Sequence, residues 1–200
     1  MAGLPISTAL TDHGPARRQP APGGLEILRA FVNTLDIEEG TDALAAAEDA
    51  RAWVRERMAI DVGPLSDVGH RSLLAFREAL RELITTRDDG TEASAAARRT
   101  FDEVAAASPL AVTFDPGGRP RLRPVGTGVG AVIGRLLVEI SAAAAAGTWD
   151  RLKICRNDAC RWSYYDSSRN RSGVWCSMAI CGNRVKGRAF RRRRASTGRA

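Results

Sequence analysis

No cysteine occurs before residue 155 or after residue 181, so all four cysteines of this 200-residue chain fall in one short segment. That excludes a fold stapled throughout by disulfides, and in a reducing compartment such a cluster points to metal binding. Histidine is scarcer still. His13 and His70 stand apart from each other and from every cysteine, so neither a paired-histidine metal site nor a catalytic dyad is legible. Residues 1–24 contain Pro5, Pro15, Pro20 and Pro22 and lack an apolar run behind a positive start, which argues against a secretory signal and for a cytoplasmic location. The longest apolar stretch, Ala131 to Gly147, is interrupted by Arg135 and Glu139 and is mostly small residues, so no transmembrane helix and no membrane partner are expected.

Acidic residues nearly vanish near the C-terminus. Residues 151–200 hold 14 Lys and Arg against 2 Asp and Glu, net +12, whereas residues 1–150 hold 16 against 21, net −5. An ordinary solvated surface intersperses the signs, so a positive block of this kind suggests a separate task, attraction of a polyanion. DNA, RNA and an acidic membrane all qualify by charge alone. The length, with 44% hydrophobic residues, accommodates one sizeable core and a small appended module.

What is present reads as mainly α with a small β-hairpin. Residues 1–23 lack periodicity and are expected to be a disordered tail. From Leu25 the residues Ile27, Leu28, Phe31, Val32 and Leu35 share a helical arc, with Gly40 as the expected stop. Thr41 or Asp42 is the expected cap of a second helix whose Leu44, Trp53, Val54 and Met58 face the core. Ser66 or Asp67 caps a third, where Leu73, Phe76, Leu80, Leu83 and Ile84 form the apolar stripe and Arg77, Glu78, Arg81 and Glu82 the other side, and Asp88-Asp89-Gly90 closes it. A fourth helix spans Ala93 to Ala107. The alternation of Leu110, Val112 and Phe114, then Asp115-Pro116-Gly117-Gly118, predicts a hairpin over 110–125. A fifth helix from Gly128 to Ala146 leads into the cysteine segment.

There, Cys155 and Cys160 form one C-x4-C pair and Cys176 and Cys181 a second, fifteen residues further on. Two short-spaced pairs allow each turn to present two thiolates to one tetrahedral Zn2+, although spacing alone leaves a pair of disulfides open. Trp162, Tyr164, Tyr165 and Trp175 between the pairs supply a miniature core, and metal binding would supply the folding energy such a small module lacks. Four cysteines leave no open coordination position, so the ion reads as structural and the protein as a non-enzyme. Beyond Cys181, residues 184–194 carry seven cations and no acid. As a helix, this segment lines up Arg184, Arg188 and Arg191, with Val185, Ala189 and Phe190 on an arc able to pack on the module. Arg169, Arg171, Arg184, Lys186, Arg188, Arg191, Arg192, Arg193 and Arg194 are the expected nucleic-acid contacts, with neighbouring aromatics available to stack on bases.

Trp175 through Arg184, with Asp166-Ser167-Ser168 and the first cysteine pair upstream, resembles the CGNR zinc finger over about residues 150–194. Its metal positions carry over to Cys155, Cys160, Cys176 and Cys181. Phe31-Val32-Asn33-Thr34-Leu35-Asp36 is similar to the opening motif of the ABATE domain, which the resemblance extends over residues 24–149, leaving a second disordered tail at 195–200. The resemblance implies a stress-response transcription regulator of bacterial type: a helical domain that senses a signal or forms a homodimer, and a zinc module that grips double-stranded DNA. An RNA- or ribosome-associated zinc protein, and a redox or zinc sensor that releases its metal on oxidation, are the alternatives.

Overall fold

The computed structural model of the protein describes residues 20–197, with side chains through Arg194. Residues 1–19 and 198–200 lie outside the described residues, and with them most of the expected tails. The packed unit starts earlier than the boundary expected at residue 24: Ala21 is buried, and its N–H donates to Glu26 Oε2 at 2.7 Å. A single small side chain between two prolines carries no periodic signal, which is why the sequence hides it.

Helix α1 (Leu25–Val32) places Leu25, Leu28, Phe31 and Val32 in the core. It ends at Val32, well short of Gly40, because the next polar residues have tertiary partners. The Asn33 side chain pairs with the distant Ser163 backbone, and the Thr34 hydroxyl donates to Phe31 O at 2.8 Å. Leu35 therefore belongs to strand β1 (Leu35–Asp36), which pairs antiparallel with β2 (Thr41–Asp42) around a turn where Gly40 adopts φ +68°. Thr41 and Asp42 are strand residues, and α2 (Ala47–Met58) begins behind Ala46 without a side-chain cap. Leu44 reaches the core from the connecting loop.

Helix α3 (Asp67–Asp89) opens as expected, with Ser66 Oγ accepting the Gly69 N–H at 3.1 Å, and closes on Gly90. Helix α4 (Ala95–Ala106) is capped by Ser94. Strands β3 (Leu110–Phe114) and β4 (Pro120–Pro124) form the expected hairpin, with Val112 opposite Leu122. Helix α5 (Gly128–Ala145) follows and packs beside β4 and α1. By length and composition α5 reaches what a membrane span requires, contrary to the sequence expectation, yet its Val132, Ile133 and Leu136 are wholly buried in the core. Four aromatic rings run through that core, Trp53 to Phe31 at 6.0 Å, Phe31 to Phe76 at 6.3 Å and Phe76 to Phe101 at 4.9 Å between centroids.

The C-terminal module is continuous with this core. After a 3-10 turn (Trp149–Arg151), strand β5 (Leu152–Ile154) pairs with β6 (Ser163–Tyr165), and Leu152 and Ile154 are buried in the helical cluster. The chain then reaches a π-helical turn (Met178–Gly182) and helix α6 (Asn183–Thr197), which continues past the boundary expected at residue 194.

Arg77 and Arg81, expected on the solvent face of α3, are buried. Arg77 forks onto Asp42 at 2.6 and 2.9 Å and donates to Thr34 Oγ1, while Arg81 donates to Val32 O at 2.6 Å and to Arg161 O at 2.9 Å. Burying a guanidinium is tolerable only when its donors are satisfied, and here they meet a carboxylate, a hydroxyl and the carbonyls of a helix end and a tight turn. Burial pushes the Asp42 carboxyl up, but the Arg77 guanidinium, the Leu44 N–H and nearby His70 outweigh it and hold the group below the usual carboxylate range. The stabilisation it gives is thus complete above the unfolded carboxylate pKa of about 3.9 and is lost as pH falls through the lower folded value. Asp42→Ala takes the carboxylate from both Arg77 Nη groups but leaves Glu78 on Nε at 2.7 Å, and should cost about 2 kcal/mol at neutral pH, with the difference from wild type shrinking in acid. Urea unfolding followed by circular dichroism at pH 7 and pH 3 checks both statements.

Candidate zinc centre and the basic helix

Strands β5 and β6 bring the first cysteine pair into place. The Cys155 N–H donates to Trp162 O at 2.9 Å, closing a knuckle in which Asn157 O accepts from Cys160 N–H at 2.7 Å and Arg161 N–H at 3.0 Å. Arg161 takes φ +49° at the corner, and Arg81 grips its carbonyl from α3. The second pair comes from the π-turn, where Ser177 O accepts the N–H groups of Cys181 at 2.9 Å and Gly182 at 3.1 Å. All four sulfurs lie within 4.8 Å of one another, and the four residues are buried. Cys160 and Cys181 are each 3.6 Å from Cys176, far beyond a disulfide bond length of about 2.05 Å. A tetrahedron of thiolates with Zn–S of about 2.3 Å has edges of about 3.8 Å, so the cluster fits one Zn2+ and the disulfide alternative does not.

The thiols interact strongly with one another. Hydrogen bonds from Cys160 and then Cys176 draw the Cys155 thiol down to about 2. The same interactions push Cys160 up, first through its bond to Cys155, and push Cys176 up through its bonds to Cys155 and Cys160. A divalent ion among the four sulfurs would favour the thiolate form of its ligands.

Each residue after the last ligand then has a physical task. A Cβ on Gly182 would lie 2.5 Å from Met178 Sδ and 3.1 Å from Trp175 Cδ1, so any larger residue there must displace the Met178 side chain and press on the Trp175 ring. Asn183 Nδ2 donates to Ala179 O at 3.1 Å, tying the start of α6 to the turn. Arg184 pairs with Glu38 from the β1–β2 turn, and one helical turn on, Arg188 Nη2 donates to Asn157 Oδ1 at 2.5 Å. Arg184 and Arg188 thus tie α6 to the body while both remain exposed. Lys186, Arg191, Arg192, Arg193 and Arg194 are exposed along the same helix. Val185 and Ala189 are half-buried, whereas Phe190 is 53% exposed, with Arg194 stacked over its ring at 5.7 Å. Phe190 does not pack on the module because the two ties hold the opposite arc against it.

Arg169 and Arg171 are exposed on the loop between the pairs. Asp166 builds that loop by accepting the N–H groups of Ser168 at 2.9 Å and Gly173 at 2.8 Å and pairing with Lys153 at 3.2 Å. Trp162 and Tyr164 are buried against the cysteines, as a miniature core demands, and are thereby withdrawn from base stacking. The residues that weld the module to the helical domain were not legible beforehand. Asn33 donates to Ser163 O at 2.8 Å and accepts the Ser163 N–H at 2.7 Å, a side-chain imitation of strand pairing. Arg87 donates to Trp149 O at 3.0 Å and Leu152 O at 2.5 Å, and Arg156 meets Asp89 at 2.7 Å. The only sequence signal for them was the polar Asn33-Thr34 step inside an apolar run.

A buried four-thiolate knuckle pair feeding a basic helix defines a zinc-finger protein. Comparison with protein families agrees: residues 151–194 match the CGNR zinc finger, and residues 27–149 match ABATE, described as "Putative stress-induced transcription regulator". The second match spans more than half of the chain, and the chain belongs to the ABATE family, with a CGNR zinc finger at its C-terminal end. No curated protein matches it in sequence.

One Zn2+ per chain is expected by elemental analysis, and Cys176→Ser should abolish it. Because Leu152 and Ile154 sit in the helical core, losing the metal should also lower the unfolding midpoint of the helical domain, an effect that two independent domains would not show. Asn33→Ala leaves two buried main-chain groups of Ser163 unpaired and should cost about 3 kcal/mol while speeding zinc transfer to a chromophoric chelator.

Proposed function

We propose that this protein is a zinc-dependent, cytoplasmic, non-enzymatic transcription regulator that binds double-stranded DNA through α6. One observation carries the reading: a 15-residue helix follows directly on the turn that holds Cys181 and is tied to the body by Arg184 and Arg188, with its further cations exposed. At about 1.5 Å per residue the helix is roughly 22 Å long, enough to follow a groove. Arg191 to Arg194 and Lys186 supply phosphate contacts, which give affinity without sequence information. Phe190, exposed among them, is the apolar group available to a base edge or a thymine methyl. Arg169 and Arg171 extend the positive surface from the loop.

Saturation of the metal by four cysteines supports a non-enzymatic role, since hydrolytic zinc keeps a position for water. Burial of the sulfurs supports a structural ion over a peroxide-sensing one. Burial of Trp162 and Tyr164 supports duplex binding over single-stranded RNA, which is gripped by exposed aromatics. A module this small covers few base pairs, so selective binding calls for two copies of the chain joined through the helical domain.

Replacing Arg191, Arg192, Arg193 and Arg194 with alanine should weaken binding to all duplexes alike. The slope of log affinity against log salt should fall by up to about 0.9 for each phosphate that is no longer neutralised. An unchanged slope in fluorescence-anisotropy titrations, or tighter binding to structured RNA than to duplex DNA at equal salt, would overturn the proposal.

A further inference from the structure

The two faces of the β3–β4 hairpin carry opposite chemistry. Leu110, Val112 and Phe114 stand opposite Pro124, Leu122 and Pro120, so one face is wholly apolar. Its base is seated on the body, with the Leu110 and Pro124 side chains against Gly134 of α5. The other face is therefore turned away from α5. It holds Thr113 opposite Arg121 and Ala111 opposite Arg123, and Arg119 continues the alternation beside the turn. All three arginines are exposed. Asp115 accepts the N–H groups of Gly117 and Arg119 at 3.0 Å and meets Arg121 at 3.2 Å, while the side chains of Arg119 and Arg123 have no acidic partner among the described residues.

Charge of this sign is foreign to the domain that bears it. Residues 110–125 hold three Arg and one Asp, whereas the other 134 of residues 1–150 hold 13 Lys and Arg against 20 Asp and Glu. A positive island in an acidic surface gives a polyanion one place to settle. The strand that carries it is also stiff. Pro120 and Pro124 bracket Arg121-Leu122-Arg123 and fix the backbone at both ends, and the Val125 N–H closes the base on Pro109 O at 3.1 Å. Little backbone entropy is left to lose when these arginines bind.

The face itself selects among polyanions. Alternate residues of a strand lie about 6.6 Å apart, close to the separation of neighbouring phosphates on one DNA strand, and the planar guanidinium fork suits phosphate oxygens. Beside the arginines the face offers only Ala111 and Thr113, without the aromatic or aliphatic anchors that a protein interface needs at its centre. An acidic membrane would take up Val112, Phe114 and Leu122 and leave the arginines pointing away from its headgroups. A two-stranded ribbon also fits the major groove of a duplex, about 12 Å wide, along whose borders the phosphates run.

We propose that the arginine face of the hairpin is a second DNA-contact surface, on which Arg119, Arg121 and Arg123 neutralise successive phosphates of a duplex. It rests on the reading of the chain as a DNA-binding protein and adds to α6 a contact borne by the helical domain.

Fluorescence anisotropy with a duplex of mixed sequence, repeated across a salt series on the full zinc-loaded chain, tests this contact. Replacing Arg119, Arg121 and Arg123 with alanine should lower affinity at least about tenfold at low salt and reduce the slope of log affinity against log salt by up to about 2.7, about 0.9 per phosphate. Zinc content and circular dichroism should stay unchanged. Lysine at the same three positions should restore most of the slope, because the slope counts charges rather than packing. Thr113→Glu, which sets an acid among the arginines, should weaken binding more than Leu122→Glu, which makes the same change of net charge on the apolar face. Wild-type affinity and slope in the alanine variant, or equal effects of the two glutamates, overturn the proposal and leave the α6 reading intact. If the hairpin variant weakens binding and alanines at Arg191 to Arg194 do not, the α6 reading fails and this one stands. A wild-type chain that binds no duplex, or whose hairpin arginines serve only phosphatidylserine vesicles, overturns the proposal outright.

Discussion

Four thiols held within 4.8 Å of one another cannot all ionise unless a cation sits among them, and the C-terminal part of the chain is organised around that necessity. Structural zinc contributes on the order of 10 kcal/mol to modules of this size, more than their few buried aromatics can supply. The last ligand, Cys181, lies in the turn that runs directly into α6, so the cysteine cluster and the start of the basic helix share one piece of backbone. A cationic segment with a mean charge this high has little intrinsic reason to stay helical in isolation, because like charges repel along it. Anchoring at a metal ligand gives it a fixed first turn from which to propagate.

The zinc module is also part of the helical domain's core. Leu152 and Ile154 contribute to it, Asn33 pairs with Ser163 as a strand would, and Arg81 and Arg87 on α3 reach carbonyls of the module. Arginine suits these positions because its planar fork satisfies two carbonyls from one helix without deprotonating. The metal, the buried arginines and the helical core therefore form one cooperative unit in which disturbance at the cysteines reaches α3.

Polar residues on α3 and near α1 are where sequence reasoning and structure diverge, for one reason. Arg77 and Arg81 occupy the arc that amphipathic patterning assigns to water, and only the irregular chain after α1, with acceptors left over where the helix stops, explains why they turn inward. Likewise the helical arc that seemed to run from Ile27 to Leu35 is cut at Val32 by an asparagine whose partner is 130 residues away. Phe190 fails in the opposite sense: apolar by character, it is left in solvent because Arg184 and Arg188, on another arc, decide which side of α6 faces the body.

The sequence by itself determined the elements whose signals are local. Ser66 and Gly90 bound α3, Asp115 to Gly118 turn the hairpin, four clustered cysteines define a metal site, and a run of arginines marks the basic helix. Those features follow from dihedral preference, periodicity and ligand count, which neighbouring residues settle among themselves. Tertiary structure alone decided which arginines are braces and which face solvent, which aromatics are buried, and which face of the hairpin the body leaves open, because each depends on groups brought together from distant parts of the chain.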